Sequence, residues 1–167
     1  MQDEINSLKE KGTWILVKKP ENRKPLKCLW VFTLKENEIY KARLVIKGCA
    51  QKQGIDYNET FSPVVRFETV RFVISIAARE HLHLGKFDVK TAFLYGELDE
   101  LIFMFQPEGF SDGTSRVCQL QKSLYGLKQA SRNWFELFTE FLEKLGFYWG
   151  KADPCLFIYK KTGISCF

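Results

Sequence analysis

The chain has 167 residues, 46% of them hydrophobic and 27% charged, which suits one domain with a buried core and argues against disorder. No apolar run reaches the roughly 20 residues that span a bilayer, and the acidic start Met1-Gln2-Asp3-Glu4 lacks the apolar stretch of a secretory signal, so an intracellular protein is expected. The net charge of +5 is unevenly spread: residues 18–52 carry ten Lys/Arg against three acids, 97–112 five acids and no base, and 113–135 four bases and no acid. Two basic blocks around an acidic one suit a groove for a polyanion; an ordinary solvated surface accounts for them equally well.

In chain order, Ile5 and Leu8 predict a short amphipathic N-terminal helix, and Trp14–Val17 a strand that closes before Pro20. Cys28–Lys35 and Ile39–Lys47 are β-rich runs separated by Glu36-Asn37-Glu38, the length of a hairpin loop, so they predict a basic β-hairpin. A loop follows from Gly48 to Pro63. Phe67, Val70, Ile74, Ala77 and Ala78 then fall on one helical face, and that helix should end near His81. Leu82–Val89 reads as a short buried strand interrupted by the carboxylate of Asp88. Leu101–Phe105 is a second strand of this half, stopped by Pro107 and Gly109, and Val117–Leu120 a third; Phe105 puts an apolar side chain where a sheet edge is better served by a polar one. Trp134, Leu137, Phe138, Phe141, Leu142 and Leu145 form an unbroken helical stripe ending at Gly146, whose apolar face should cover a sheet. Cys155–Tyr159 and Ile164–Phe167 read as strands around Lys160-Lys161-Thr162-Gly163. Strands and helices without a βαβ rhythm predict an α+β fold, with helices packed on one face of a mainly antiparallel sheet.

Chemistry is sparse. Cys28, Cys49, Cys118, Cys155 and Cys166 are odd in number and contain no C-x-x-C pair, which argues against a disulfide framework or a zinc site and leaves core thiols. A carboxylate at a strand end, flanked by basic blocks, could hold a divalent cation that receives phosphate; spacing alone favours a hydrogen-bonded loop acid for Asp88. Glu97, Asp99 and Glu100 lie beyond Gly96 in a segment that reads as exposed. His81 and His83 have no partner at metal-ligand spacing, and Asn58-Glu59-Thr60 is a chance match to the glycosylation pattern. The absence of a Walker loop, of G-x-G-x-x-G and of G-x-S-x-G removes P-loop, dinucleotide and common serine-hydrolase chemistry.

Six motifs in order carry a resemblance that covers essentially the whole chain: Thr13-Trp14-x-Leu16-Val17; Tyr40-Lys41-Ala42-Arg43-Leu44-Val45-x-Lys47-Gly48; Gly54-Ile55-Asp56-Tyr57-x-Glu59-Thr60-Phe61-Ser62-Pro63-Val64; Asp88-Val89-Lys90-Thr91-Ala92-Phe93-Leu94-x-Gly96; Gln106-Pro107-Glu108-Gly109-Phe110; and Ser123-Leu124-Tyr125-Gly126-Leu127-Lys128-Gln129-Ala130. With these it resembles the reverse transcriptase domain of copia-type LTR retrotransposons. The resemblance implies a right-hand polymerase with fingers and a partial palm: about 1–83 fingers-like, 84–110 a palm portion with Asp88, 111–122 a return through the fingers, and 123–167 the palm helix with the start of the terminal palm hairpin. It implies that Asp88, with the main-chain carbonyl of Val89, binds catalytic Mg²⁺ (or Mn²⁺). It further implies that Phe93 is the steric gate against ribonucleotides, that Lys41 or Arg43 meets the incoming triphosphate with Lys35 a weaker candidate, and that Tyr125, Gly126 and Lys128 form the loop against the nascent base pair and template. Glycine would suit that loop because a side chain would obstruct the base.

The implied reaction is nucleotidyl transfer to a primer 3′-hydroxyl with two metal ions roughly 3.5–4 Å apart. The implied partners are an RNA or DNA template with primer, deoxynucleoside triphosphates and the remainder of the Pol polyprotein, with no membrane; the implied location is a cytoplasmic virus-like particle. The family's Tyr-x-Asp-Asp turn does not occur in the sequence; the hairpin that carries it should begin near Ile164, with its catalytic tip expected beyond Phe167, and the thumb, connection and ribonuclease H regions do not occur either. The chain alone is therefore expected to be inactive, because a hard cation that keeps most of its waters gains little from one carboxylate, so Asp88 alone would hold it poorly. Two alternatives stand beside this: a truncated remnant that at most binds nucleic acid, and a fragment left unstable by an unpaired sheet edge.

Overall fold

A computed structural model describes residues 1–34, 38–161 and 164–166. Helix α1 (Gln2–Glu10) buries Ile5 and Leu8, as their spacing predicts, and strand β1 (Trp14–Val17) follows. Strands β2 (Cys28–Leu34) and β3 (Tyr40–Ile46) pair antiparallel from Cys28↔Ile46 to Leu34↔Tyr40, so the basic hairpin forms; Lys35, Glu36 and Asn37 lie outside the described residues. Helix α2 (Phe67–Arg79), the short strands β4 (Phe103–Met104) and β5 (Val117–Leu120), and helix α3 (Ala130–Lys144) come next. Strands β6 (Tyr148–Trp149), β7 (Phe157–Lys161) and β8 (Ile164–Cys166) complete the order; Thr162, Gly163 and Phe167 lie outside the described residues.

The mixture is α+β and every ladder between named strands is antiparallel, but the strands form three small sheets: β1-β5-β4, β2-β3 and β6-β7-β8. The chain divides into two units, residues 1–61 with 91–134, and residues 62–90 with 135–167. The first unit holds a continuous core in which Leu8, Leu44, Leu94, Met104, Cys118 and Leu124 are fully buried. Alternation along β3 explains its share: Leu44 and Ile46 point into that core, which leaves Lys41, Arg43 and Val45 on the opposite face.

Five expectations are corrected. The segment 82–89 is not a buried strand. It makes no ladder with any described residue, and its side chains are exposed, Phe87 by 93%; a strand apolar on both faces needs neighbours on both, and it has none here. Leu101–Phe105 shortens to β4, whose other edge is bridged by Leu26: Leu26 N–H donates to the Phe103 carbonyl (2.7 Å) and Phe105 N–H to the Leu26 carbonyl (3.0 Å). Helix α2 ends as expected, with His81 at φ 52° just beyond it. Its inward face, however, is Thr69, Val73, Ile76 and Ala77, leaving Phe67, Val70 and Ile74 exposed. In α3, Phe135 and Phe138 turn toward the β6–β7 hairpin, edge-on to Trp149 and Phe157 (centroids 6.0 and 6.5 Å), whereas Leu137, Phe141 and Leu145 are exposed. The thiols split as well: Cys118 is buried, and desolvation pushes it up to about 12, but Cys49 is exposed and so not a core thiol.

Candidate nucleotide-binding site

The geometry of the site starts from two glycines. Gly126, at φ +93°, lies so close to β3 that a Cβ there would sit 2.1 Å from the Ile46 carbonyl oxygen; a Cβ on Gly48 would sit 2.0 Å from the Gly126 carbonyl oxygen. The loop after Leu124 is thus laid backbone to backbone on the end of β3, where Ile46 N–H donates to the Tyr125 carbonyl at 2.8 Å. Both glycines are required by this approach, a reason for Gly126 that needs no base above it.

This docking brings the Tyr125 ring next to two side chains from distant segments. One is Phe93, edge-on at 5.0 Å and 67°; the second is the Arg43 guanidinium, 5.4 Å from the ring centroid, within cation–π range. Phe93 is held by a 3-10 turn over Ala92–Tyr95, anchored by the fully buried Leu94. Ser123 N–H to the Gly96 carbonyl (2.7 Å) and Asn133 Nδ2 to both the Glu97 carbonyl (2.9 Å) and Ser123 Oγ (3.1 Å) tie that turn to the Tyr125 loop. Lys41 lies two residues from Arg43 on the same face of β3. Both cations also oppose the rise that burial imposes on Glu4, whose carboxylate accepts Leu44 N–H at 3.4 Å.

Lys128 faces a different partner. Its Nζ donates to Tyr57 Oη at 3.1 Å and lies 4.6 Å from that ring, while its N–H donates to Gln51 Oε1 at 2.8 Å. Gln51 Nε2 donates to Gln129 Oε1 (3.0 Å), and Gln129 Nε2 to the Asp56 carbonyl (2.8 Å) and to Glu100 (3.2 Å). Gln129 is only 2% exposed, so each polar atom needs its partner, and the pair clamps the loop to residues 51–56. Tyr57 and Gln129 stand inside recognised motifs without any signal of these roles, and nothing in the sequence announces that Gln51 and Gln129 meet across 78 positions.

Among the residues expected at the site, Arg43, Phe93, Tyr125 and Gly126 therefore come together; Lys41 is adjacent, Lys128 engages Tyr57, and Lys35 lies outside the described residues. Asp88 and Val89 belong to the second unit and are exposed. No group of three or more His, Cys, Asp or Glu side chains able to hold a metal ion occurs among the described residues. A lone exposed carboxylate is a poor donor set for Mg²⁺ or Mn²⁺, so the described residues do not fit such an ion on their own. The second unit does contain a well-held carboxylate, Asp153. It is 1% exposed and accepts from Thr69 Oγ1 (2.6 Å), Arg66 N–H (3.0 Å) and Cys155 N–H (2.8 Å), which hold it below the usual carboxylate range. It caps the N-terminus of α2 from the β6–β7 connection, a structural duty that the sequence did not signal.

Comparison with known proteins agrees with this assembly of motifs. Residues 11–164 match the family model described as reverse transcriptase (RNA-dependent DNA polymerase), and the chain belongs to that family. It is 48% identical over 164 residues to the retrovirus-related Pol polyprotein from transposon TNT 1-94 of Nicotiana tabacum, covering 94% of this chain and 12% of that one. It is 40% identical over 169 residues to the Pol polyprotein from transposon RE1 of Arabidopsis thaliana (96% and 12%), and 28% identical over 177 residues to the Ty1-ER2 Gag-Pol polyprotein of Saccharomyces cerevisiae (98% and 10%). These are retrotransposon Pol proteins, the plant ones of the copia type, and the chain spans about one-eighth of their length. No solved structure matches it. No helix among the described residues is long and apolar enough to cross a membrane.

Proposed function

We propose that this chain is the nucleotide- and template-facing part of a retrotransposon RNA-directed DNA polymerase, which extends a primer 3′-hydroxyl with deoxynucleoside triphosphates inside an intracellular virus-like particle. In this reading residues 1–83 and 111–122 are fingers, and residues 84–110 and 123–167 are palm. The observation that carries it is the convergence of Arg43, Tyr125 and Phe93 from three segments of the chain. A cation beside two rings is what a triphosphate with a sugar and base attached requires. Arg43 neutralises phosphate charge as pyrophosphate leaves, Lys41 adds to that field, Phe93 occupies the space of a ribose 2′-hydroxyl, and the Tyr125–Gly126 loop lies under the base pair. Lys128, held by Tyr57 and Gln51, meets the template.

In a longer polymerase containing this chain, Asp88 and the Val89 carbonyl would contribute to the ligand set of a divalent metal, which would supply activation of the hydroxyl and charge neutralisation when bound. Because Asp88 alone does not form that set, a second reading holds for the chain by itself: it binds nucleotide and nucleic acid without turnover. Photolabelling of residues 1–167 with an azido-deoxynucleoside triphosphate tests the cluster. Arg43→Ala should reduce labelling about tenfold, as expected when a charge-assisted hydrogen bond to phosphate is removed, and Lys41→Ala less; labelling indifferent to Arg43 contradicts the proposal. In a longer polymerase containing this chain, Phe93→Ala should admit ribonucleotides, and unchanged sugar discrimination would remove the gate.

A further inference from the structure

Glu4 is an ionisable group that the proposed reaction does not use, and it stands beside the strand that carries Arg43 and Lys41. Helix α1 is fastened to the core of the first unit by Ile5, which is 1% exposed and clusters with Leu44. This puts the Glu4 side chain at the edge of β3 that faces away from β2. Two N–H groups are taken up along that edge. Leu44 N–H donates to Glu4 Oε1 at 3.4 Å, and Ile46 N–H donates to the Tyr125 carbonyl at 2.8 Å. Leu44 is fully buried, so its N–H needs the acceptor that α1 brings. The carboxylate and the Tyr125 loop are thus seated side by side on one strand edge, and Arg43, the neighbour of Leu44 in the chain, lies 5.4 Å from the Tyr125 ring.

The position has an electrostatic consequence. The amide nitrogen of Leu44 is two bonds from the Arg43 Cα, so the accepting oxygen lies within about 6 Å of that Cα. Burial raises the Glu4 carboxyl above its ordinary value, against the Leu44 hydrogen bond and the charges of Arg43, Lys41 and the Met1 amino group, which lower it. An uncharged acceptor would satisfy Leu44 N–H equally well, as the Tyr125 carbonyl does for Ile46. A carboxylate does so with a negative charge set beside the cations. In the empty site that charge offsets them, and it repels the phosphates of a nucleotide that approaches them.

We propose that Glu4 is a positioning residue of the nucleotide site: it fixes the edge of the strand that carries Arg43 and Lys41, and its charge sets how tightly those cations hold a triphosphate. The assignment rests on the proposed function, and the test separates the two. The half-saturating concentration of the azido-deoxynucleoside triphosphate is measured on residues 1–167 without added metal, across a pH series, for the unaltered chain and for Glu4→Gln, Glu4→Ala, Asp3→Asn and Arg43→Ala. Glu4→Gln keeps an oxygen for Leu44 N–H and removes the charge. It should keep the thermal unfolding midpoint and tighten labelling about threefold at neutral pH, the order expected when one unit charge is removed at a partly screened distance. The unaltered chain should gain the same factor as pH falls through the raised Glu4 value, and Glu4→Gln should not; protonation of the triphosphate itself affects both equally. Glu4→Ala also removes the acceptor, so it should speed amide hydrogen exchange at Leu44 and label less well than Glu4→Gln. Asp3→Asn neutralises an exposed acid one residue away and should leave labelling unchanged. If Glu4→Gln matches the unaltered chain in affinity and pH profile while Arg43→Ala weakens labelling, this inference is overturned and the proposed function stands. Equal tightening by Asp3→Asn, or a midpoint lowered as far in Glu4→Gln as in Glu4→Ala, also overturns it, because the effect would then be a general charge or a structural bond alone. Labelling indifferent to Arg43→Ala overturns both readings.

Discussion

The two units of this chain are built to different standards. Of the sixteen buried apolar residues among those described, only Ala77 and Phe157 belong to the second unit; the other fourteen fill the first. The first unit therefore positions its functional side chains by packing: Tyr125 is placed by two glycines against β3, Phe93 by the buried Leu94, and Lys128 by a closed amide network. The second unit offers Asp88 from an unpaired, exposed segment and leaves Phe67, Phe72 and Phe87 open. The rings and cations proposed to meet a nucleotide come from the unit with a core, whereas the carboxylate lies where little within its own unit fixes it.

Substitutions can break this comparison. Gly126→Ala should have the largest effect, about 3 kcal/mol or more. The left-handed backbone costs roughly 1–2 kcal/mol, and a Cβ 2.1 Å from the Ile46 carbonyl oxygen adds an overpacking penalty of about 1–3; chemical denaturation measures the sum, and a value near zero would mean that the loop does not rest on β3. Leu44→Ala, in the fully buried core, should cost about 2–5 kcal/mol by the same measurement.

Asp153→Ala should act locally, raising amide hydrogen exchange at the start of α2 while leaving the first unit protected. The same hydrogen bonds have a pH signature. Because the Asp153 pKa is lowered in the folded state, their stabilisation is complete above the ordinary aspartate value of about 3.9 and lost as pH falls through the lowered one. Acid should therefore loosen α2 before the first-unit core. Phe72→Ala should have the smallest effect, within about 0.5 kcal/mol, since that ring is exposed; a destabilisation comparable to Leu44→Ala would erase the contrast between the units.

What could be read in the sequence follows the same division. The β2–β3 hairpin and α1 were legible because period-2 and helical apolar patterns there match surfaces that are buried. Convergence of Arg43, Phe93 and Tyr125 was legible only through motif resemblance, since residues 43, 93 and 125 share no local pattern. The inward face of α2 was misread because Phe67, Val70 and Ile74 form as good a stripe as Val73, Ile76 and Ala77, and periodicity cannot choose between two apolar faces. The segment 82–89 was misread as a buried strand because an apolar run states what a segment would bury but supplies no partner to bury it against. Gln51, Gln129 and Asp153 were passed over since a polar residue reads as surface until its partner is known.

The most direct measurement is primer extension on an RNA template by residues 1–167, with deoxynucleoside triphosphates and Mg²⁺, run beside triphosphate photolabelling of the same sample. The account predicts labelling that depends on Arg43 and no nucleotide incorporation. Robust incorporation that disappears in Asp88→Asn would contradict it, because the chain alone would then hold a complete catalytic centre.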